Sequence, residues 1–294
     1  MLATPALLAH TTDLNLVIRY VLAGLGHGIH AGHERGAGVE FSEYRAYAPG
    51  DEWRRVDWKL LARADRYFVR EAERDSHVAV WLWLDASASM AEPSRGVAGL
   101  DKLQYARVVL ACIAAIAQRQ GDAFGLIVCG EGRVKFTPAA RGPRQMQRVL
   151  AQLSRTEAAG ILPPAETLRA SLHFARSPSL IFAVSDFLDW PSPQSEALLR
   201  LRHMRHDVRA LCLQTDAECD AGFAAGSAWR DPEQGAGLFR FDPEARAAYL
   251  KNRSDHFAHM SADCRRSDIR TLDARIEQPL QGVLRAWLRQ AGGA

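Results

Sequence analysis

The sequence predicts an α/β protein built on a doubly wound, mostly parallel sheet. Two apolar runs, residues 78–84 and 180–184, are continuous rather than alternating, as strands buried on both faces are. Each ends abruptly in polar residues, Asp85-Ala86-Ser87-Ala88-Ser89 after the first and Ser185-Asp186 after the second. Between and beyond them helical periodicities alternate with further strand-like runs, the rhythm of a parallel sheet covered on both sides.

The elements follow in order. Residues 13–25 place Leu14, Val17, Val21 and Leu25 on one side of an amphipathic helix, with Asp13 as its cap. A glycine-rich stretch, 24–38, carries His27, His30 and His33, yet no acidic or cysteine partner has the spacing a Zn²⁺ site needs. It also lacks the Gly-x-x-x-x-Gly-Lys-Ser/Thr pattern of a phosphate loop. After the Asp85 loop, residues 100–120 read as a long helix stopped by Gly121-Asp122. Residues 123–129 and 133–136 read as two strands joined by Gly130-Glu131-Gly132, the second an antiparallel edge. Helices are expected over 142–153, 166–174, 194–204, 243–261 and 279–290, with strands over 180–184, 208–213 and 269–272. Residues 216–237 break the rhythm and read as a surface loop with an inserted hairpin.

Composition sets outer limits. The chain has 294 residues, 48% of them hydrophobic, enough for one large domain with an extension or for two modest ones. A net charge of +3 from 37 basic and 34 acidic residues gives no electrostatic footprint for nucleic acid. The five cysteines are odd in number and include no Cys-x-x-Cys pair, which predicts reduced thiols in a cytoplasmic compartment, with peripheral association at a membrane through partners left open. The longest apolar stretch, 108–117, is about half of a spanning helix, so no transmembrane segment is expected. Residues 1–10 lack a basic lead and a cleavage site, so no signal peptide is expected either.

The chemistry concentrates at the two strand ends. Asp85, Ser87 and Ser89 set three hard oxygens on one side of a loop at the carboxyl edge of a sheet, where open α/β sheets bind ligands. Such donors suit Mg²⁺ or Mn²⁺. The same residues also suit an ordinary turn that caps the next helix. A nucleophilic serine fits poorly, because Ala86, Ala88 and Met90 stand where a hydrolase elbow needs glycines. Asp186 offers a second carboxylate at a strand end, and Thr167, in Ala165-Glu166-Thr167-Leu168, offers a further hydroxyl or a plain helix cap.

The Asp-x-Ser-x-Ser pattern resembles the first element of the metal-ion-dependent adhesion site of von Willebrand factor A domains. A longer segment narrows the resemblance. Glu40-Phe41, then Arg45-x-Tyr47-x-Pro49-Gly50-Asp51, then Arg54-Arg55-Val56-Asp57-Trp58 is similar to the signature of the DUF58 proteins, bacterial von Willebrand A-like proteins of unassigned activity. The likeness continues through Ala62-Arg63, residues 67–71, Asp85, Arg230-Asp231-Pro232-Glu233, Phe241-Asp242-Pro243 and Tyr249. It implies a von Willebrand A or Rossmann-like domain over 77–294 with an inserted loop around 216–242. Residues 1–76 would form an N-terminal helix and signature extension packing on it. It also implies a divalent-ion site of Asp85, Ser87, Ser89, Thr167 and Asp186, in which Ser87 and Ser89 bind directly, Thr167 joins when the site closes and the two aspartates bind the ion or hold its waters. Thr167 departs from the family pattern, since Leu168 follows it at once and Pro163-Pro164 replace the usual glycines.

The function implied by the resemblance is a metal-dependent adaptor, not an enzyme, with a MoxR-type AAA+ ATPase and an unidentified client as partners. Arg45, Asp51, Arg54 and Asp57 are candidate partner contacts, or the charge pairs of a structural lid. A metal-free interaction module and a metal-dependent hydrolase are the alternatives; the latter lacks an obvious base near the loops. The Asp85 loop is expected to be exposed, so that Ser87→Ala with Ser89→Ala would leave stability little changed.

Overall fold

The computed structural model describes residues 13–25, 43–47, 67–71, 79–172, 177–222, 228–229, 239–240 and 242–289. The chain divides into two compact units, Met1–Gly32 with Val78–Ala294, and His33–His77. In the smaller unit β1 (Glu43–Ala46) pairs antiparallel with β2 (Phe68–Glu71), Arg45 standing opposite Val69. Tyr47 N–H extends this ladder by donating to the Tyr67 carbonyl at 2.9 Å. Asp51, Arg54 and Asp57 lie outside the described residues, as do the three glycine-stretch histidines.

Among the described residues the larger unit runs from α1 (Leu14–Leu25) through β3 (Ala79–Asp85), α2 (Lys102–Gln120), β4 (Phe124–Gly130), β5 (Arg133–Ala140), α3 (Pro143–Arg155) and α4 (Ala165–Ser171). Then come β6 (Ser179–Ser185), α5 (Pro193–His203), β7 (Asp207–Gln214), α6 (Asp216–Asp220), the short strands β8 (Ala228–Trp229) and β9 (Phe239–Arg240), α7 (Pro243–Arg266), β10 (Arg270–Arg275) and α8 (Leu280–Arg289).

Six strands form one sheet in the order β10-β7-β6-β3-β4-β5, all parallel except β5, which runs antiparallel to β4 at the edge. The edge position explains why β5 tolerates Pro138, which cannot donate to a ladder. Counted along the chain the order is that of a doubly wound sheet, with its reversal between β3 and β6.

The pleat sorts the apolar residues onto two faces. Val80, Leu82 and Leu84 of β3, with Phe124, Leu126, Phe182 and Val184, meet α1, α2, α3 and α8. Trp81 and Trp83, with Ile127, Ile181 and Ala183, meet α4, α5 and α7. A strand must be apolar on both faces to serve two cores at once, which is why the runs at 78–84 and 180–184 do not alternate. In α1 the buried side is Leu14, Val17, Ile18, Val21 and Leu22.

Caps fix the helix ends. Asp101 accepts from Gln104 N–H at 2.6 Å at the start of α2, and Gly121 ends it with φ +76°, a left-handed conformation that glycine adopts without a Cβ clash. Some elements differ from expectation: β5 runs to Ala140, four residues beyond the expected end, and β10 to Arg275, three beyond. Helix α7 runs to Arg266, five residues beyond the expected end, because only Met260 and Cys264 are buried in it and the apolar period is too sparse to mark its terminus. The irregular stretch after β7 opens with α6, held by a reciprocal capping box between Thr215 and Glu218. The expected hairpin follows as the antiparallel pair β8–β9.

Candidate cation site at the sheet reversal

Strands β3 and β6 are neighbours whose onward connections leave in opposite directions, so their carboxyl ends border the crevice of the doubly wound sheet. Asp85 ends β3, Ser185 ends β6 and Asp186 follows directly. The Ser185 hydroxyl donates to Asp85 Oδ2 at 2.5 Å, and Ser87 N–H donates to Asp85 Oδ1 at 2.8 Å. Ser87 and Ser89 Oγ stand 3.1 Å apart. Two loops a hundred residues apart in sequence therefore meet at one carboxylate.

The loop is not exposed as the sequence suggested. Asp85 is 1% and Ser87 2% exposed, while Ser89 is half-buried. The cover is a strap of backbone before α4: Ala159 N–H donates to the Ala86 carbonyl at 3.0 Å, and Ala88 N–H donates to the Gly160 carbonyl at 2.9 Å. Glu131 and Gly132 N–H reach the carbonyls of Ala159 and Ile161 at 3.0 and 2.9 Å, tying the strap to the β4–β5 turn. Gly130 sits under this junction, where a Cβ would lie 2.6 Å from the Ala86 carbonyl oxygen.

Thr167 is the third residue of α4, half-buried, and Pro164 rather than Thr167 occupies the cap position. Among the described residues no hydrogen bond joins it to Asp85, Ser87, Ser89 or Asp186. What reaches the Asp85 loop from this segment is backbone.

Asp186 has a partner the sequence reading missed. Lys102, the first residue of α2, is fully buried and donates from Nζ to Asp186 Oδ2 at 2.7 Å and to Glu218 Oε1 at 2.9 Å. The other Glu218 oxygen accepts from Thr215 N–H at 2.7 Å and from its hydroxyl at 3.1 Å. A signal was present: a helix N-terminus disfavours cations, so a lysine in the first turn of an otherwise apolar helix needs a carboxylate to hold it.

Burial pushes the Asp85 carboxyl up to about 7, the nearby Asp186 charge adds to this, and the hydrogen bonds from Ser185 and Ser87 work against it. Burial opposes the Lys102 ammonium, but Asp186 and Glu218 outweigh it and hold the lysine charged well above its usual range. Among the described residues no cationic side chain bonds Asp85. All five cysteines are free, and burial raises the Cys129 and Cys212 thiols beside the site.

The donors fit a hard divalent ion in part. Two adjacent ligands of an octahedral Mg²⁺ shell lie about 2.9 Å apart, close to the 3.1 Å between the Ser87 and Ser89 oxygens. Asp85 stands behind them, bonded by no cationic side chain among the described residues. Among the described residues no group of three His, Cys, Asp or Glu could hold a metal, so an ion here would rest on hydroxyls and one carboxylate.

The family model for "Protein of unknown function DUF58" matches residues 43–259. The chain belongs to the DUF58 family. A curated relative, an uncharacterized protein of Mycobacterium tuberculosis, is 27% identical over 281 residues, covering 93% of this chain and 86% of that protein. Among solved structures this chain is similar to BatB from Bacteroides thetaiotaomicron, with a TM-score of 0.44 at 13% identity over 74% of this chain and 100% of that one. The SpRpn10 VWA domain gives 0.43 at 9% identity, over 71% and 94% of the two chains.

One expectation is corrected. The cytoplasmic placement expected from the cysteines is withdrawn, and a solved structure to which this chain is similar is that of an aerotolerance-related membrane protein from Bacteroides fragilis, with a TM-score of 0.39 at 13% identity over 72% and 99% of the two chains. Reduced thiols do not by themselves name a compartment. Among the described residues no helix is long and apolar enough to cross a membrane.

Proposed function

We propose that this DUF58 protein is a protein-interaction module whose recognition rim lies at the carboxyl ends of β3 and β6, completed by Mg²⁺ or Mn²⁺ at Asp85, Ser87 and Ser89. The observation that carries the reading is the pair of serine hydroxyls 3.1 Å apart in front of a buried carboxylate that no cationic side chain among the described residues bonds. A bound ion would supply an electrophilic centre with room for a carboxylate from a partner. The chain's own groups do the rest: Ser185 and Ser87 N–H orient Asp85, the strap at Ala159 and Gly160 keeps bulk water from it, and Asp186, paired with Lys102, borders the crevice. Thr167 is the hydroxyl proposed to approach when the rim closes. The partner implied by the family resemblance is a MoxR-type AAA+ ATPase, which the protein would couple to a client. Arg45, Asp51, Arg54 and Asp57 are proposed as further partner contacts. The function is binding rather than catalysis.

Titration calorimetry with Mg²⁺ and Mn²⁺, and capture of partners with and without EDTA, test this. Native protein should bind the ion and retain an ATPase only with it, and Ser87→Ala should lose both. Lys102 favours a second reading, a metal-free module, because an ammonium already answers Asp186. Partner capture unaffected by EDTA and by Ser87→Ala would select that reading.

A further inference from the structure

We propose that Lys102 is the resident counter-ion of Asp186 and sets the affinity of the rim for divalent cations by keeping that carboxylate out of their coordination. This rests on the reading that an ion binds at Asp85, Ser87 and Ser89.

The geometry is specific. Lys102 Nζ meets Asp186 Oδ2 at 2.7 Å, a full charge-assisted bond, whereas Asp186 Oδ1 receives only a long contact from Leu188 N–H at 3.4 Å. The lysine side chain is 0% exposed, so its ammonium cannot swing into solvent to release the aspartate. Its origin is pinned as well, since it follows the Asp101 cap that starts α2. Glu218 holds the second proton of the ammonium at 2.9 Å and is itself fixed by Thr215. An ammonium held by two carboxylates in a buried site repels a divalent ion nearby while consuming the charge that would have attracted it. The same lysine joins the rim to α6, because Glu218 belongs to that helix, and the Glu218 carbonyl accepts from the Tyr249 hydroxyl of α7 at 3.0 Å.

The test is a double-mutant cycle read by Mn²⁺ binding, using the loss of the free-ion paramagnetic signal, with thermal melts to establish folding. Lys102→Gln keeps hydrogen-bond donors and removes the charge. It should bind Mn²⁺ at least about tenfold more tightly than the native chain, equivalent to about 1.4 kcal/mol. Asp186→Asn should change native affinity less than about threefold, yet abolish the gain in the Lys102→Gln background. If Lys102→Gln does not fold, Lys102→Gln with Glu218→Gln removes both members of that ion pair and should show the same Asp186-dependent gain.

No gain in either variant overturns the proposal, as does an Asp186→Asn loss as deep as that of Ser87→Ala. Native protein that binds Mn²⁺ through Ser87, with no gain on removing Lys102, leaves the function reading standing and this inference fallen. Native protein that ignores Mn²⁺, with an Asp186-dependent gain in the variant, does the reverse.

Discussion

Lys102 shows how one side chain can reverse the meaning of its neighbours. Asp186 read from sequence is a loop carboxylate; with Lys102 at 2.7 Å it is half of a buried ion pair. Removing one partner of such a pair strands a buried charge and costs about 3–5 kcal/mol. Lys102→Met is therefore expected to lower the unfolding free energy by about that amount in urea titration, and Lys102→Gln by less. A loss below about 1 kcal/mol would show that solvent reaches the site. Asp85 adds a pH dependence. Its folded value of about 7 lies above the ordinary 3.8, because burial and then Asp186 disfavour its charge. The folded chain then holds the proton more tightly than the unfolded one, so this group's stabilisation is full below about pH 4 and is lost as pH rises through about 7. In EDTA, Asp85→Asn should gain stability relative to the native chain between about pH 5 and pH 8. A pH-independent difference between the two would refute the buried charge.

At the scale of elements, the site is positioned by backbone as much as by side chains. The strap before α4 and the β4–β5 turn grip the Asp85 loop through main-chain bonds, and Gly130 leaves room for the Ala86 carbonyl between them. Gly130→Ala would drive a Cβ to 2.6 Å from that oxygen, so the loop must shift. We expect a loss of about 1–3 kcal/mol in thermal or urea unfolding, together with weaker Mn²⁺ binding. Gly282 in α8 is the control, since a Cβ there meets nothing within 4 Å. Gly282→Ala should be stabilising by about 0.5–1 kcal/mol, the helical penalty of glycine. Equal effects of the two substitutions would show that the junction at Gly130 is slack. The buried Asp85 loop also reverses the earlier expectation for its serines: because Ser87 is 2% exposed, Ser87→Ala with Ser89→Ala should now cost measurable stability.

At the scale of the larger unit, the sheet carries two cores, and β3 and β6 lie at its middle with helices against both faces. Strands that close both cores open only when the unit unfolds, whereas edge strands fray. Amide exchange measured by mass spectrometry should be slowest in β3, β4 and β6 and faster in β5 and β10. Early exchange of β3 would mean that the candidate site rests on a locally unstable strand.

Local pattern was enough to establish the doubly wound sheet, because a strand buried twice must be apolar at every position, and the runs at β3 and β6 satisfy this without help from distant residues. It also placed Asp85, Ser87, Ser89 and Asp186 at carboxyl strand ends, since a polar cluster directly after such a run has nowhere else to go. Tertiary structure alone decided which of these groups meet. Ser185 reaches Asp85 across a hundred residues, Thr167 stays on its helix, and Lys102 takes Asp186 for itself. Contacts of that kind depend on strand order and helix placement, which periodicity within a segment does not encode, and a lysine's preference for a buried carboxylate becomes visible only when the two are brought within bonding distance.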